Sequence, residues 1–267
     1  MKVICTNGVK SVMLDLIPAF ERTSGTKIVI TWGSTNGLLK DLEGGAGGDL
    51  AILTAEAIDD LTGHGKVVAG SRVDLARSGI GAAVRGGSPK PDISTVDALR
   101  RTLLAAKSIA YPSSISGLYL TTELFPRLGI AEQVAAKSRR IDASERVGAV
   151  VARGEAEIGF QQISELLSVP GVTYVGPLPA DVQRVTVFAA GVSANAPNAT
   201  AARAAIAFLV SPAARAAIAK SGLDPVAQNR DPFDLANAPV RLGTHRIACG
   251  SNPLQVGELC LPSRKGL

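Results

Sequence analysis

The chain has 267 residues, room for one large or two medium domains, and 46% of them are hydrophobic with a mean hydropathy of +0.23, so a sizeable core is within reach. No apolar run reaches the ~18 residues of a membrane span, which excludes membrane insertion. A net charge of +5 and a pI near 9.3 lean towards anionic ligands, while only 4% aromatics and no basic block interleaved with them exclude nucleic acid as a partner.

In chain order, residues 3–6 read as a first strand and 11–22 as a helix. The helix has Val12, Met13, Leu16, Ile17 and Phe20 on one face and stops near Gly25. Strands follow at 27–31 and 49–53, separated by a polar loop at 34–37 and a helical run from Leu38. A short helix occupies 55–61. Residues 73–84 form a long, Gly-broken extended segment. Ser94-Thr95-Val96-Asp97 reads as a capping box that opens a helix to about 105. A strand at 108–111, helices at 117–128 and 144–152, and strands at 157–161 and 172–175 come next. Residues 184–192 form a second long extended segment. Asn198 caps a helix to 209, and Ser211-Pro212 starts another, with proline at its first position.

This alternation predicts an α/β fold with two lobes, mixed sheets flanked by helices, and a two-strand hinge. The two extended segments bracket an inner block with its own strand–helix pattern. The expected boundaries are 1–80 plus 190–225 for a discontinuous first lobe, 81–189 for the second, and 226–267 for a tail. In such sheets ligands sit outside the carboxyl ends of the strands.

Small polar residues stand at those ends. Thr6, Asn7 and Gly8 follow the first strand, and Ser34, Thr35, Asn36 and Gly37 the second. Ser113, Ser114 and Ser116 follow the strand at 108–111. Each alone is an ordinary helix cap. Together they describe a socket in which hydroxyls and backbone N–H groups face an anion. Arg77 in "ARSGIG" is placed where the chain crosses between lobes and suits a carboxylate or oxyanion. In "GFQQISE", Gln161 and Gln162 alternate in direction, and Gln162 is preferred for the crevice. His64 lies in a turn and His245 in the tail, and Glu56, Asp59 and Asp60 read as a solvated face. No GxSxG, HExxH or P-loop occurs. Cys5, Cys249 and Cys260 lack CxxC spacing and read as free thiols, with a Cys249–Cys260 pair as the alternative in an oxidising compartment. No metal or cofactor is expected.

"WGSTNGLLKDLEGGAGGDLAILTAEAIDDL", "SISGLY", "RVGAVVARGEAEIGF" and "AIAFLVSPAARAAIAKSGLDP" resemble periplasmic molybdate-binding proteins, type II solute-binding proteins of ABC transporters, over roughly residues 1–225. The resemblance implies a cleft that binds a tetrahedral oxyanion, with an ABC transporter permease as partner. The family's first-loop serine falls on Gly8, its second-loop serine on Thr35 or Asn36, its backbone positions on Ser116 and Val147, and its late-strand tyrosine on Gln162. Two usual hydroxyls are thus absent, which favours a di- or tricarboxylate. "LARSGIGAAVR" and "IGFQQISEL" look like the aconitate isomerase branch of that family, which interconverts trans- and cis-aconitate without a cofactor. Arg77, Ser116, Thr35 and Asn36 are its candidate anchors, and Tyr111 is a weak acid/base candidate with core packing as its commoner role. Solute binding is the main expectation, isomerisation the alternative. Met1 to Cys5 already reads as strand, so the chain is periplasmic if a leader was removed and cytoplasmic if it is complete.

Overall fold

The computed structural model describes residues 1–227. Strands β1 (Lys2–Thr6) and β3 (Leu50–Thr54) are nearly continuous apolar runs, the pattern of strands covered on both faces. Val3, Cys5, Leu50 and Ile52 point into one layer, and Ile4, Ala51 and Leu53 into the other. Helix α1 (Lys10–Ser24) covers the first layer with Val12, Met13, Leu16 and Phe20. It ends at Gly25, whose φ of 68° is the left-handed geometry glycine adopts without a Cβ penalty. Helices α2 (Thr35–Glu43) and α3 (Ala55–Gly63) cover the second layer through Leu38, Leu42, Ile58 and Leu61.

This first sheet also holds β2 (Val29–Gly33), β4 (Val73–Ser78), β10 (Thr186–Val192) and β11 (Asp224–Pro225), in the order β11-β4-β10-β3-β1-β2. β1 runs parallel to β2 and β3, while β10 is antiparallel to β3 and β4. The second sheet has the order β7-β6-β8-β5-β9. It comprises β5 (Ile80–Arg85), β6 (Ile109–Pro112), β7 (Ser138–Ile141), β8 (Ile158–Gln162) and β9 (Val172–Pro177). β6 is parallel to β7 and β8, and β5 is antiparallel to β8 and β9. One face packs on α4 (Val96–Ala105), α5 (Ile115–Tyr119), α6 (Phe125–Arg127) and α7 (Ala131–Ala135); the other packs on α8 (Val147–Ala152). Helix α9 (Ile163–Leu167) follows β8 and packs back on residues 7–9 of the first lobe. Helices α10 (Ala199–Leu209) and α11 (Pro212–Lys220) return to the first layer.

The mixed, two-sheet α/β architecture is the expected one. The chain crosses between sheets at Ser78–Ile80 and again between Val182 and Thr186. Gln183 clamps the two crossings: its Oε1 accepts from the Ile80 N–H at 2.8 Å and its Nε2 donates to the Ile80 carbonyl at 2.9 Å. β10 pairs with β3 and β4 from Thr186 onward, so residues 186–189, counted above with the second lobe, lie in the first sheet.

Local details differ from the sequence reading. The cap of α4 is Thr95, which accepts from the Ala98 N–H, while Ser94 instead bonds Asp92. The helix expected at 117–128 starts at Ile115 and passes through a π turn at Leu120–Leu124 just ahead of Pro126, which has no N–H to give. α8 begins at Val147 rather than Ser144. Asn198 precedes α10 without a side-chain cap and bonds Asp49 instead. β7 and α7 are additional elements. The expected tail lies outside the described residues from 228 onward, as do Cys249, Cys260 and His245; Cys5 is a buried free thiol. Among the described residues no single helix is long and apolar enough to cross a membrane.

Candidate functional site

The carboxyl ends of β1, β2, β3, β6, β7 and β8 all converge on a cavity of about 140 Å³ between the two sheets. From the first lobe, Thr6, Asn7 and Gly8 line it at the turn into α1, and Ser34, Thr35 and Asn36 line it at the start of α2. Thr35 Oγ1 donates to Thr6 Oγ1 at 3.1 Å, which ties these two loops together. Ser34 caps α2 by accepting from the Gly37 N–H at 3.2 Å. The loop is therefore cap and cavity wall at once. A Cβ on Gly8 would run into the Phe188 ring, which explains glycine where a serine is usual in the resembling family.

From the second lobe, Ser114 just ahead of α5 and Ser116 in its first turn line the cavity, their hydroxyl oxygens 3.2 Å apart. Gly117 sits behind them so close to the Pro112 carbonyl that no side chain fits. Residues 142–146 supply a further wall. Gln161 and Gln162 both line the cavity, although only Gln162 was preferred. The chain turns into α9 at Gln162 (φ −53°, ψ 136°), so strand alternation stops there. With its amide assigned from the surrounding bonds, Gln162 donates to the carbonyls of Ser78 and Gly79 (3.1 and 3.2 Å) and accepts from Thr186 Oγ1 at 2.9 Å. It thereby joins the floor of the cavity to both crossing segments.

Two expected residues stand elsewhere. Arg77 is exposed on β4, between Val187 of β10 and Asp224 of β11, and is not among the lining residues. Val147, expected for its backbone N–H, follows the lining residue Arg146 but is not itself among the lining residues; its side chain is buried at the start of α8 against Gly159. Tyr111 packs edge-on against Phe125 and takes no part in the lining.

Five charged residues line the cavity that the sequence analysis does not single out: Lys10, Asp142, Glu145, Arg146 and Glu165. Lys10 opens α1 and stands over the Trp32 ring at 5.3 Å. Arg146 precedes α8 and donates to Ser168 Oγ at 2.9 Å. Glu165, in the first turn of α9, accepts from Gln161 Nε2 at 3.0 Å. Burial pushes the Glu165 carboxyl up to about 7, against the opposing pulls of Arg146 and the Gln161 hydrogen bond. A readable signal existed: Gln161 and Glu165 are four apart across a strand end in "GFQQISE", and Arg146 directly precedes Val147. The other lining carboxylates differ. Asp142 is exposed, and Glu145 is paired with Arg153. The cavity thus offers hydroxyls, amides, two cations and one carboxyl that titrates near neutrality.

Two lobes on crossing strands with a polar cavity between them define a solute-binding protein. The family model for bacterial extracellular solute-binding proteins matches residues 1–224, and the chain belongs to that family. It is 41% identical over 231 residues to an aconitate isomerase from Pseudomonas sp, covering 85% of this chain and 88% of that protein. It is 27% identical over 158 residues to the molybdate-binding protein ModA of Azotobacter vinelandii, covering 58% of this chain and 61% of that one. Among solved structures, the periplasmic molybdate-binding protein of Azotobacter vinelandii superposes with a TM-score of 0.70 at 19% identity, over 85% of this chain and 100% of that one; at that identity the likeness concerns the fold. The resemblance to molybdate-binding proteins and their aconitate isomerase branch, read from sequence, agrees with these matches.

Proposed function

We propose that the cleft binds a tricarboxylate of the aconitate type and interconverts its isomers by moving a proton, with no cofactor. The observation that carries this reading is the presence of Glu165 beside Lys10 and Arg146 in one cavity. A site built only to hold an oxyanion moves no proton and has no use for an acid–base group on its wall. A site that moves a proton needs such a group, poised near the working pH. Cations and hydroxyls from both lobes suit separate carboxylates of one ligand, and charge-assisted bonds are the stronger kind. The 41% identity to an aconitate isomerase supports the same reading.

The second reading is a solute-binding protein without turnover that hands a small anion to an ABC transporter permease. The family match over 1–224 and the identity to a molybdate-binding protein favour it. Under this reading the cleft closes on its ligand and releases it unchanged.

A thermal-shift panel separates the ligands. Citrate and both aconitate isomers are compared with molybdate, tungstate and sulfate. A ligand at about a hundred times its Kd adds about 2.7 kcal/mol of stability, seen as a raised melting temperature. The proposal expects the shift from tricarboxylates. A shift from molybdate or tungstate alone would overturn it.

A further inference from the structure

A 1,3 shift of hydrogen along a tricarboxylate needs a group that takes a proton from one carbon and returns one to another. Five titratable side chains line the cavity: Lys10 from α1, Asp142, Glu145 and Arg146 from the loop before α8, and Glu165 from α9. The two cations are anchors for carboxylates. Asp142 is exposed and Glu145 is committed to Arg153. Glu165 alone is a carboxyl held from behind and open to the cavity, with Gln161 donating to its Oε1 at 3.0 Å.

We propose that Glu165 carries the proton in this isomerisation and that Gln161 is the positioning residue that orients its carboxyl. The assignment rests on the isomerase reading above. Glu165 as carboxylate removes a proton from the methylene carbon next to the double bond. The electron pair of that C–H bond forms the new C=C bond. The old π pair takes a proton at the far carbon from the Glu165 carboxylic acid. Composition is unchanged, nothing is oxidised or reduced, and Glu165 ends as it began. The intervening carbanion is spread onto the substrate carboxylates, which Lys10 and Arg146 face.

Gln161 fits this cycle. It is 4% exposed, and its Oε1 is buried without a hydrogen-bond partner. An amide offers N–H to a carboxylate or C=O to a carboxylic acid, so it can serve Glu165 in both protonation states. The near-neutral carboxyl described above means that both states are populated at working pH.

The test uses the whole chain with trans-aconitate in D₂O, followed by proton NMR, with calorimetry for binding. Glu165→Gln is expected to bind trans-aconitate close to the parent's affinity. It should lose on the order of a hundredfold or more of turnover, read as the rate at which cis-aconitate appears. Gln161→Leu is expected to keep measurable turnover with its acid limb moved to higher pH, because the N–H that favours the charged carboxylate is gone. Glu165→Gln turnover within tenfold of the parent would overturn the assignment, with the isomerase reading intact. An unmoved acid limb in Gln161→Leu would remove Gln161 from its role. If Glu165→Gln fails to fold, Glu165→Asp decides: turnover equal to the parent's counts against Glu165. A parent chain that leaves trans-aconitate unchanged overturns the isomerase reading and this assignment with it.

Discussion

Ser164 donates its hydroxyl hydrogen to the Gly8 carbonyl across the cleft, Oγ to O 2.9 Å, over 156 residues of sequence. Ser164 lies on α9 in the second lobe, Gly8 at the turn into α1 in the first, and both are buried. Ser164→Ala leaves the Gly8 carbonyl buried without this partner, at a cost of about 1–3 kcal/mol. A lowered melting temperature together with weaker ligand binding is expected. An unchanged melt would show that the bond contributes nothing net.

The two arginines make a paired prediction. Arg146 lines the cavity and Arg77 does not. Arg146→Ala should weaken a tricarboxylate by about 1.5–3 kcal/mol, the scale of a hydrogen bond to a charged group. Arg77→Ala should leave affinity as it was. Calorimetric titration of both variants checks this, and the reverse order of effects would place the anion elsewhere.

Burial raises the Glu165 carboxyl, so its sign on stability is unfavourable. Its folded pKa of about 7 lies above the ordinary value of 4.5. The unfolded chain therefore loses this proton more readily, and folding loses stability as pH rises between those values. Glu165→Gln removes the penalty. The variant should match the parent below pH ~4 and exceed it by roughly 1–3 kcal/mol above pH ~7. Melting curves across that range read it directly. A constant difference at every pH would contradict the raised carboxyl.

Asp49 has the opposite sign. Burial to 2% exposure works to raise its pKa. The backbone N–H groups of Lys2 (2.7 Å) and Asn198 (2.8 Å), with the Asn198 amide, more than offset this and hold it below the usual range. These bonds tie β1 to the start of α10. Their contribution is present above the unfolded pKa near 3.9 and is lost as pH falls through the lower folded value. Asp49→Asn should cost about 1.5–3 kcal/mol at neutral pH and lose less stability than the parent on acidification. A parallel loss in both proteins would dismiss the charge.

Gly8→Ala places a Cβ against the Phe188 ring and should cost about 1–3 kcal/mol by overpacking. Phe188→Leu should recover part of that cost in the double variant, as expected of coupled neighbours.

Much of the fold was legible because apolar runs such as Leu50–Leu53 and Val3–Cys5 admit few readings, and strand ends rich in Ser, Thr and Asn mark the cleft. The loops at 6–8, 34–36 and 114–116 were found this way. Glu165 was passed over because burial, which makes a carboxyl chemically useful, is a tertiary property. An isolated Glu in an amphipathic turn looks solvated. Arg77 was misplaced for the same reason: its strand is central to the crossing, yet its side chain faces solvent. Gln161 was set aside because strand alternation admits only one of the pair and Gln162 lies nearer the helix start, but alternation ends where β8 turns into α9. β7, with two exposed arginines among its four residues, carries little apolar signal.

The most direct measurement is a proton NMR time course of the full chain with trans-aconitate in D₂O. The account predicts that cis-aconitate accumulates to a fixed ratio without added cofactor. Saturable binding of trans-aconitate with no cis-aconitate would contradict isomerisation and leave a protein that only binds its solute.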